Sequence, residues 1–98
     1  MILVTGSIVA KADRIDEVLA LSLEHVRRSR GEPGCVAHAV HRDAENPLRL
    51  VFVEEWKDRE SLQAHFAVPA SRAFVKSVGA LAAGPPQMNL YDASPLRL

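Results

Sequence analysis

Apolar runs and polar breaks alternate along the chain, and they follow two different periods. From Ile2 to Ala10 the residues are apolar and rich in β-branched side chains, with Gly6 inside the run, which predicts a first strand. After Asp13, a plausible N-cap, Ile15, Val18, Leu19, Ser22 and Val26 recur at helical spacing. Leu23 widens that stripe, while Arg14, Glu17, Glu24 and Arg28 occupy much of the other side. The helix should run to about Arg30, where Gly31 and Pro33-Gly34 end it. Cys35 to Arg42 and Leu48 to Trp56 read as two more strands, and the polar turn Asp43-Ala44-Glu45-Asn46-Pro47 predicts that they form an antiparallel hairpin. Asp58 is placed to cap a short helix carrying Leu62, His65 and Phe66. Pro69 suits the first turn of another helix, with Phe74, Val75, Val78 and Leu81 along one side. Gly79 weakens that helix and Gly84-Pro85-Pro86 stops it. Met88 to Tyr91 is the last strand, and Ser94 to Leu98 is a tail.

The order is β-α-β-β-α-β, with the second helical region split in two. It predicts a ferredoxin-like α+β fold, in which helices cover one face of an antiparallel sheet. The other face of such a sheet is ordinarily polar. Here Leu3 and Val9 oppose Val4 and Ile8 in the first strand, and Val51 and Val53 oppose Leu50 and Phe52 in the third, so both faces are apolar. A second apolar face calls for a cover, and the pattern predicts a homodimer, most simply a twofold one with the sheets face to face.

Composition narrows the function classes. A chain of 98 residues makes one domain with a thin stability margin. Twelve basic and twelve acidic side chains cancel, with no long block of one sign. Arg27, Arg28 and Arg30 sit where a helix dipole favours cations, and no aromatic platform is interleaved with them, so nucleic acid is not an expected partner. The apolar runs are too short to span a bilayer and the amino terminus lacks a signal-peptide pattern, so no membrane association is expected. The single Cys35 cannot form an intramolecular disulfide, and a reducing cytoplasm is the natural setting.

Several side chains are candidates for chemistry. Trp56 shares a strand face with Phe52 and Glu54. It is either the largest core residue or the wall of a cavity at the strand end, where its ring N–H finds a wet edge. His65, at the edge of an apolar stripe, is either a packed helix histidine or a general base, because imidazole titrates near neutrality. His38 stands on a strand face with Val36 and Val40 and needs a partner or a polar cavity. His41 points the opposite way, so the two are no chelating pair, and His25 falls at a helix edge with no assigned role. No histidine pair has i, i+4 helical spacing and one cysteine excludes the usual zinc sets, so no metal is expected. No glycine-rich phosphate loop and no Gly-x-Ser-x-Gly elbow occur. Glu54 and Glu55 are adjacent on a strand, face opposite ways, and so do not form a paired acid and base. Cys35 fits a small buried apolar role better than a nucleophile.

Taken together, Glu32-x-Gly34-Cys35 entering a strand, Glu55-Trp56-Lys57-Asp58, and His65 one helical segment later resemble the antibiotic biosynthesis monooxygenase domain. The resemblance covers nearly the whole chain. It implies a dimeric α/β barrel with a pocket between helices and sheet, and a last strand and tail, Pro86 to Leu98 here, that reach into the partner. The family includes monooxygenases that oxidise polycyclic phenols or quinols with dioxygen and no cofactor. The resemblance therefore implies a small aromatic or enolic substrate and His65 as base or proton relay. It also implies Trp56 and Phe52 as walls, Phe74 as a lid residue and Arg72 as a holder of the oxyanion, whereas His38, a candidate pocket residue from its strand setting, stands where the family commonly carries an aromatic. Haem-degrading members carry an asparagine in the first strand, whereas this chain has asparagine only at positions 46 and 89. The alternative is a non-oxidative isomerase or a ligand-binding dimer of the same fold.

Overall fold

A computed structural model describes residues 1–98. The elements are β1 (Ile2–Val9), a 3-10 turn (Ala12–Arg14), α1 (Ile15–Ser29), β2 (Cys35–Arg42), β3 (Arg49–Trp56), α2 (Arg59–Ala67), α3 (Pro69–Leu81) and β4 (Gln87–Asp92). The four strands form one sheet in the order β2-β3-β1-β4, and every neighbouring pair is antiparallel. This is the ferredoxin-like α+β arrangement. Ile8, Leu50 and Phe52 of the sheet pack with Val18 and Val26 of α1 and Val78 of α3, and a smaller cluster joins Ile2, Val4 and Trp56 to Leu62 of α2. Both clusters follow the period of two in the strands, so a one-residue slip of register would turn them outward.

Local chemistry sets the element ends. Asp58 caps α2, its Oδ1 accepting from the Ser61 backbone N–H at 2.9 Å. Pro69 opens α3, where a missing N–H costs nothing. In the hairpin turn, Asp43 accepts from the Glu45 N–H at 2.8 Å and from Arg49 at 3.0 Å, and Asn46 accepts from the Leu48 N–H at 3.1 Å. These bonds hold Leu48 in the turn, so β3 begins one residue later than the sequence reading placed it.

Three expectations need correction. Asp13 does not cap α1: it lies inside the 3-10 turn, and Arg14 occupies the cap position without a side-chain bond. Val36 does not flank His38 on a strand face, because a bulge between Cys35 and Ala37 turns it outward to 62% exposure. His25 is not at the edge of α1 but buried, on a face that it shares with the fully enclosed Ser22, Val26 and Ser29.

Candidate functional site

A cavity of about 550 Å³ opens between the sheet and the two C-terminal helices. Apolar atoms make up most of its surface, contributed by Ile8, Phe52, Phe66, Phe74, Val75 and Val78 among others. Its size and character suit a small organic ligand. Into this apolar wall the fold inserts His25 from α1, Glu54 from β3 and His65 from α2.

Glu32 and Gly34, before β2, explain how His65 is set. Gly34 has φ of 80°, a conformation open to glycine, and a Cβ there would overlap the Ser61 side chain. The Lys57 N–H donates to the Gly34 carbonyl at 2.8 Å, so the turn is clamped against the start of α2. His65 lies one helical turn beyond Ser61, and Glu32 reaches it: Glu32 Oε1 is 2.9 Å from His65 Nδ1. A carboxylate accepts, so Nδ1 carries a proton, and in the neutral ring Nε2 keeps the lone pair. The other Glu32 oxygen accepts from Arg28 Nη1 at 3.0 Å.

His25 has the reverse arrangement. Arg28 Nη2 lies 2.9 Å from His25 Nδ1, and a guanidinium can only donate. Nδ1 therefore accepts, and the neutral ring carries its proton on Nε2. The same Arg28 nitrogen also donates to Ser71 Oγ at 3.2 Å. The ring of His25 stacks on Phe74 with centroids 4.0 Å apart and planes 5° from parallel. His65 is 5.2 Å away, centroid to centroid, and both residues line the cavity. The hydrogen bonds of both rings engage Nδ1, and both residues line the cavity.

His38 lies one layer deeper. Its Nε2 is 3.3 Å from Glu54 Oε1, a close pair without the direction of a hydrogen bond, so both ring nitrogens are sealed without a bonded partner. Glu54 Oε1 accepts the Trp56 indole N–H at 2.9 Å. Burial pushes Glu54 up, but the pairing with His38 and the Trp56 N–H, with a smaller contribution from His65, hold it below the usual carboxylate range. Burial lowers His25 from 6.5 to about 3, with His38, His65 and the Arg28 guanidinium adding to the effect. Burial, then Glu32, raises the Cys35 thiol, which keeps it protonated and a poor nucleophile.

The residues singled out from sequence fall in two layers. His65, Phe52, Phe74 and Arg72 line the cavity, with Arg72 exposed at its edge. Trp56, with no exposed surface, and His38 stand behind that wall, and Trp56 supports it from below His65 at 4.7 Å between centroids. The sequence reading gives no site role to His25, Arg28, Glu32 or Glu54, although Glu32 belongs to the motif that carries the family resemblance. A signal for His25 was present: Ser22 and Ser29 on a helix face otherwise built from valine leave room for a larger polar side chain between them.

The site also bears on metal binding. His25, His38 and His65 each offer one nitrogen, and these lie within 4.8 Å of one another. The expectation of no metal rested on local spacing, which is blind to residues gathered from three elements. Arg28 is the stronger argument. It occupies His25 Nδ1 and leaves Nε2 protonated, so this histidine has no lone pair for a cation while Arg28 stays in place.

Comparison with known proteins supplies a context. The profile of the family described as antibiotic biosynthesis monooxygenase matches residues 1–77. An uncharacterized protein of Synechocystis sp., sll1783, is 34% identical over 90 residues, which cover 92% of this chain and 61% of that protein. The chain thus spans less than two thirds of that relative's length. Among solved structures, an antibiotic biosynthesis monooxygenase is 35% identical with a TM-score of 0.90, over 97% of this chain and 100% of the other. A conserved protein of Methanosarcina mazei Go1 is 25% identical with a TM-score of 0.89, over 95% and 92% of the two chains.

Proposed function

Since the chain belongs to the antibiotic biosynthesis monooxygenase family, we propose that it oxidises a small phenol, quinol or enol with dioxygen, without a cofactor, in the cavity between sheet and helices. One observation carries this reading. His65 lines a largely apolar cavity while Glu32 holds its Nδ1 at 2.9 Å, which leaves Nε2 free of that contact. A base needs its lone pair aimed at the substrate and its ring held in one tautomer, and this pair meets both needs.

In this reading His65 Nε2 takes the acidic proton of the bound substrate. The anion passes one electron to dioxygen, and the carbon radical and superoxide combine to a peroxide that receives a proton. Loss of water then leaves a carbonyl, so a CH₂ group and O₂ become C=O and H₂O. Phe52 and Phe74 act as flat walls, and Phe66 and Val75 keep water out, which prolongs the life of the anion. Trp56 and His38 support that wall from behind. A second copy of the chain covers the outer sheet face, and β4 with the segment after it lies against that partner.

The test is dioxygen uptake by metal-stripped protein against a panel of quinols and anthrones. Uptake above autoxidation that His65→Ala abolishes is the expected result; no uptake across the panel overturns the reading. Two Nε2 atoms of opposite protonation in one cavity favour one alternative, an isomerase that moves a proton between neighbouring atoms. Solvent deuterium exchange into the substrate without dioxygen uptake would identify it.

A further inference from the structure

The cavity contains a fixed hydrogen-bond donor that the oxygenase reading does not use. We propose that His25 is the anion-binding group of this cavity, donating Nε2–H to the oxygen of a phenolate or enolate, and that Arg28 is the positioning residue that sets its tautomer. The proposal rests on the cavity being the substrate site, but not on the substrate being oxidised there.

The geometry assigns the roles. Arg28 has only donors, so its 2.9 Å contact makes His25 Nδ1 the acceptor and leaves the hydrogen on Nε2 of a ring that lines the cavity. Three contacts restrain the ring and its guanidinium. Phe74 stacks on the ring at 4.0 Å, Ser71 takes Arg28 Nη2 at 3.2 Å, and Glu32 takes Arg28 Nη1 at 3.0 Å. A donor held in place before the charge develops needs no reorganisation when it does, which is what an oxyanion site requires. A neutral imidazole can fill that role, because its N–H bond dipole suffices in an apolar surround.

The groups packed around His25 keep it neutral. Arg28 on its own helix, His38 on β2 and His65 on α2 all oppose a further positive charge, and burial opposes it most. Glu54 on β3 is the one group favouring protonation, but its oxygen is turned toward the Trp56 N–H and His38. His65, 5.2 Å away between centroids, supplies the complementary lone pair. One small weak acid can therefore lose its proton to His65 and leave its oxygen on His25. Arg72, the holder of the oxyanion implied by family resemblance, is exposed at the cavity edge and has no partner that fixes it.

The experiment follows the absorbance of nitrophenols of graded acidity as they bind the full chain, with no dioxygen chemistry involved. The wild type should bind the phenolate in preference to the phenol, raising the apparent ionisation constant by about ten- to a hundredfold. His25→Phe, which keeps the stack on Phe74, should lose that preference. His25→Gln, whose side-chain amide donates at similar reach, should recover part of it, which guards against a mere folding defect. Arg28→Met should weaken the preference although it touches no ligand, and the ¹⁵N shifts of His25 should show a mixed tautomer. The proposal is overturned if the wild type takes up only the neutral phenol or none at millimolar concentration. It is equally overturned if His25→Phe keeps the preference, or if Arg72→Gln is the variant that removes it. Phenolate binding without dioxygen uptake would retain this inference while rejecting the oxygenase reading.

Discussion

Residue by residue, the site depends on which nitrogen of each imidazole is engaged. Glu32 engages Nδ1 of His65, which in the neutral ring leaves the lone pair on Nε2, whereas Arg28 engages Nδ1 of His25 and leaves the hydrogen on Nε2. His65→Ala should therefore lower turnover by ~10²-fold or more. His65→Asn, which retains a donor toward Glu32, should be as slow while melting close to the wild type. A rate near wild type in either variant would remove His65 from the mechanism. His25 also gives a pH prediction. Its folded value, about 3, lies below the unfolded 6.5, so its contribution is whole above pH 6.5 and is lost as pH falls toward 3, where the unfolded chain holds the extra proton. Urea midpoints of the wild type should drop between about pH 7.5 and about pH 5 more than those of His25→Gln; equal slopes would contradict this. Trp56, with no exposed surface, should cost roughly 3–5 kcal/mol of stability on truncation to alanine. A melting temperature that hardly moves would show that the cluster around Ile2, Val4 and Leu62 does not depend on it.

Among the elements, the turn before β2 is the part that connects fold to chemistry. Gly34→Ala strains a backbone at φ 80° and drives a methyl into Ser61, so it should destabilise by about 1–3 kcal/mol. It should also slow turnover, because the displaced α2 start carries His65 away from Glu32. Unchanged stability and rate would mean that the turn does not set the pair. Strands and helices were largely legible in the sequence because each follows its own period, and Asp58, Pro69 and Gly84-Pro85-Pro86 mark their ends. Leu48 and Val36 were misplaced for local reasons, an Asn46 side-chain bond in one case and a bulge in the other. The histidine group was not legible. His25, His38 and His65 lie on three elements, and only the crossing of α1 and α2 over the sheet brings them together. The same holds for Glu32, whose partner is 33 residues away.

At the scale of the whole molecule, the sheet has one covered face and one open one. Val9 and Val53 on the outer face are 36% and 38% exposed, and every residue of β4 is exposed. An apolar sheet face and an edge strand of this kind call for cover, and a second copy is the cover that the account requires. Light scattering at micromolar concentration should give a dimer mass, and Val53→Arg should give a folded monomer. A wild-type monomer would contradict this.

In the proposed site α1, the turn before β2, α2 and α3 together hold two buried histidines in opposite tautomers in one cavity. The most direct test is the ¹⁵N chemical shifts of the imidazoles near neutral pH, assigned with His25→Gln and His65→Asn. The account requires His65 protonated at Nδ1 and His25 neutral and protonated at Nε2. Finding both rings in the same tautomer, or His25 charged, would contradict it.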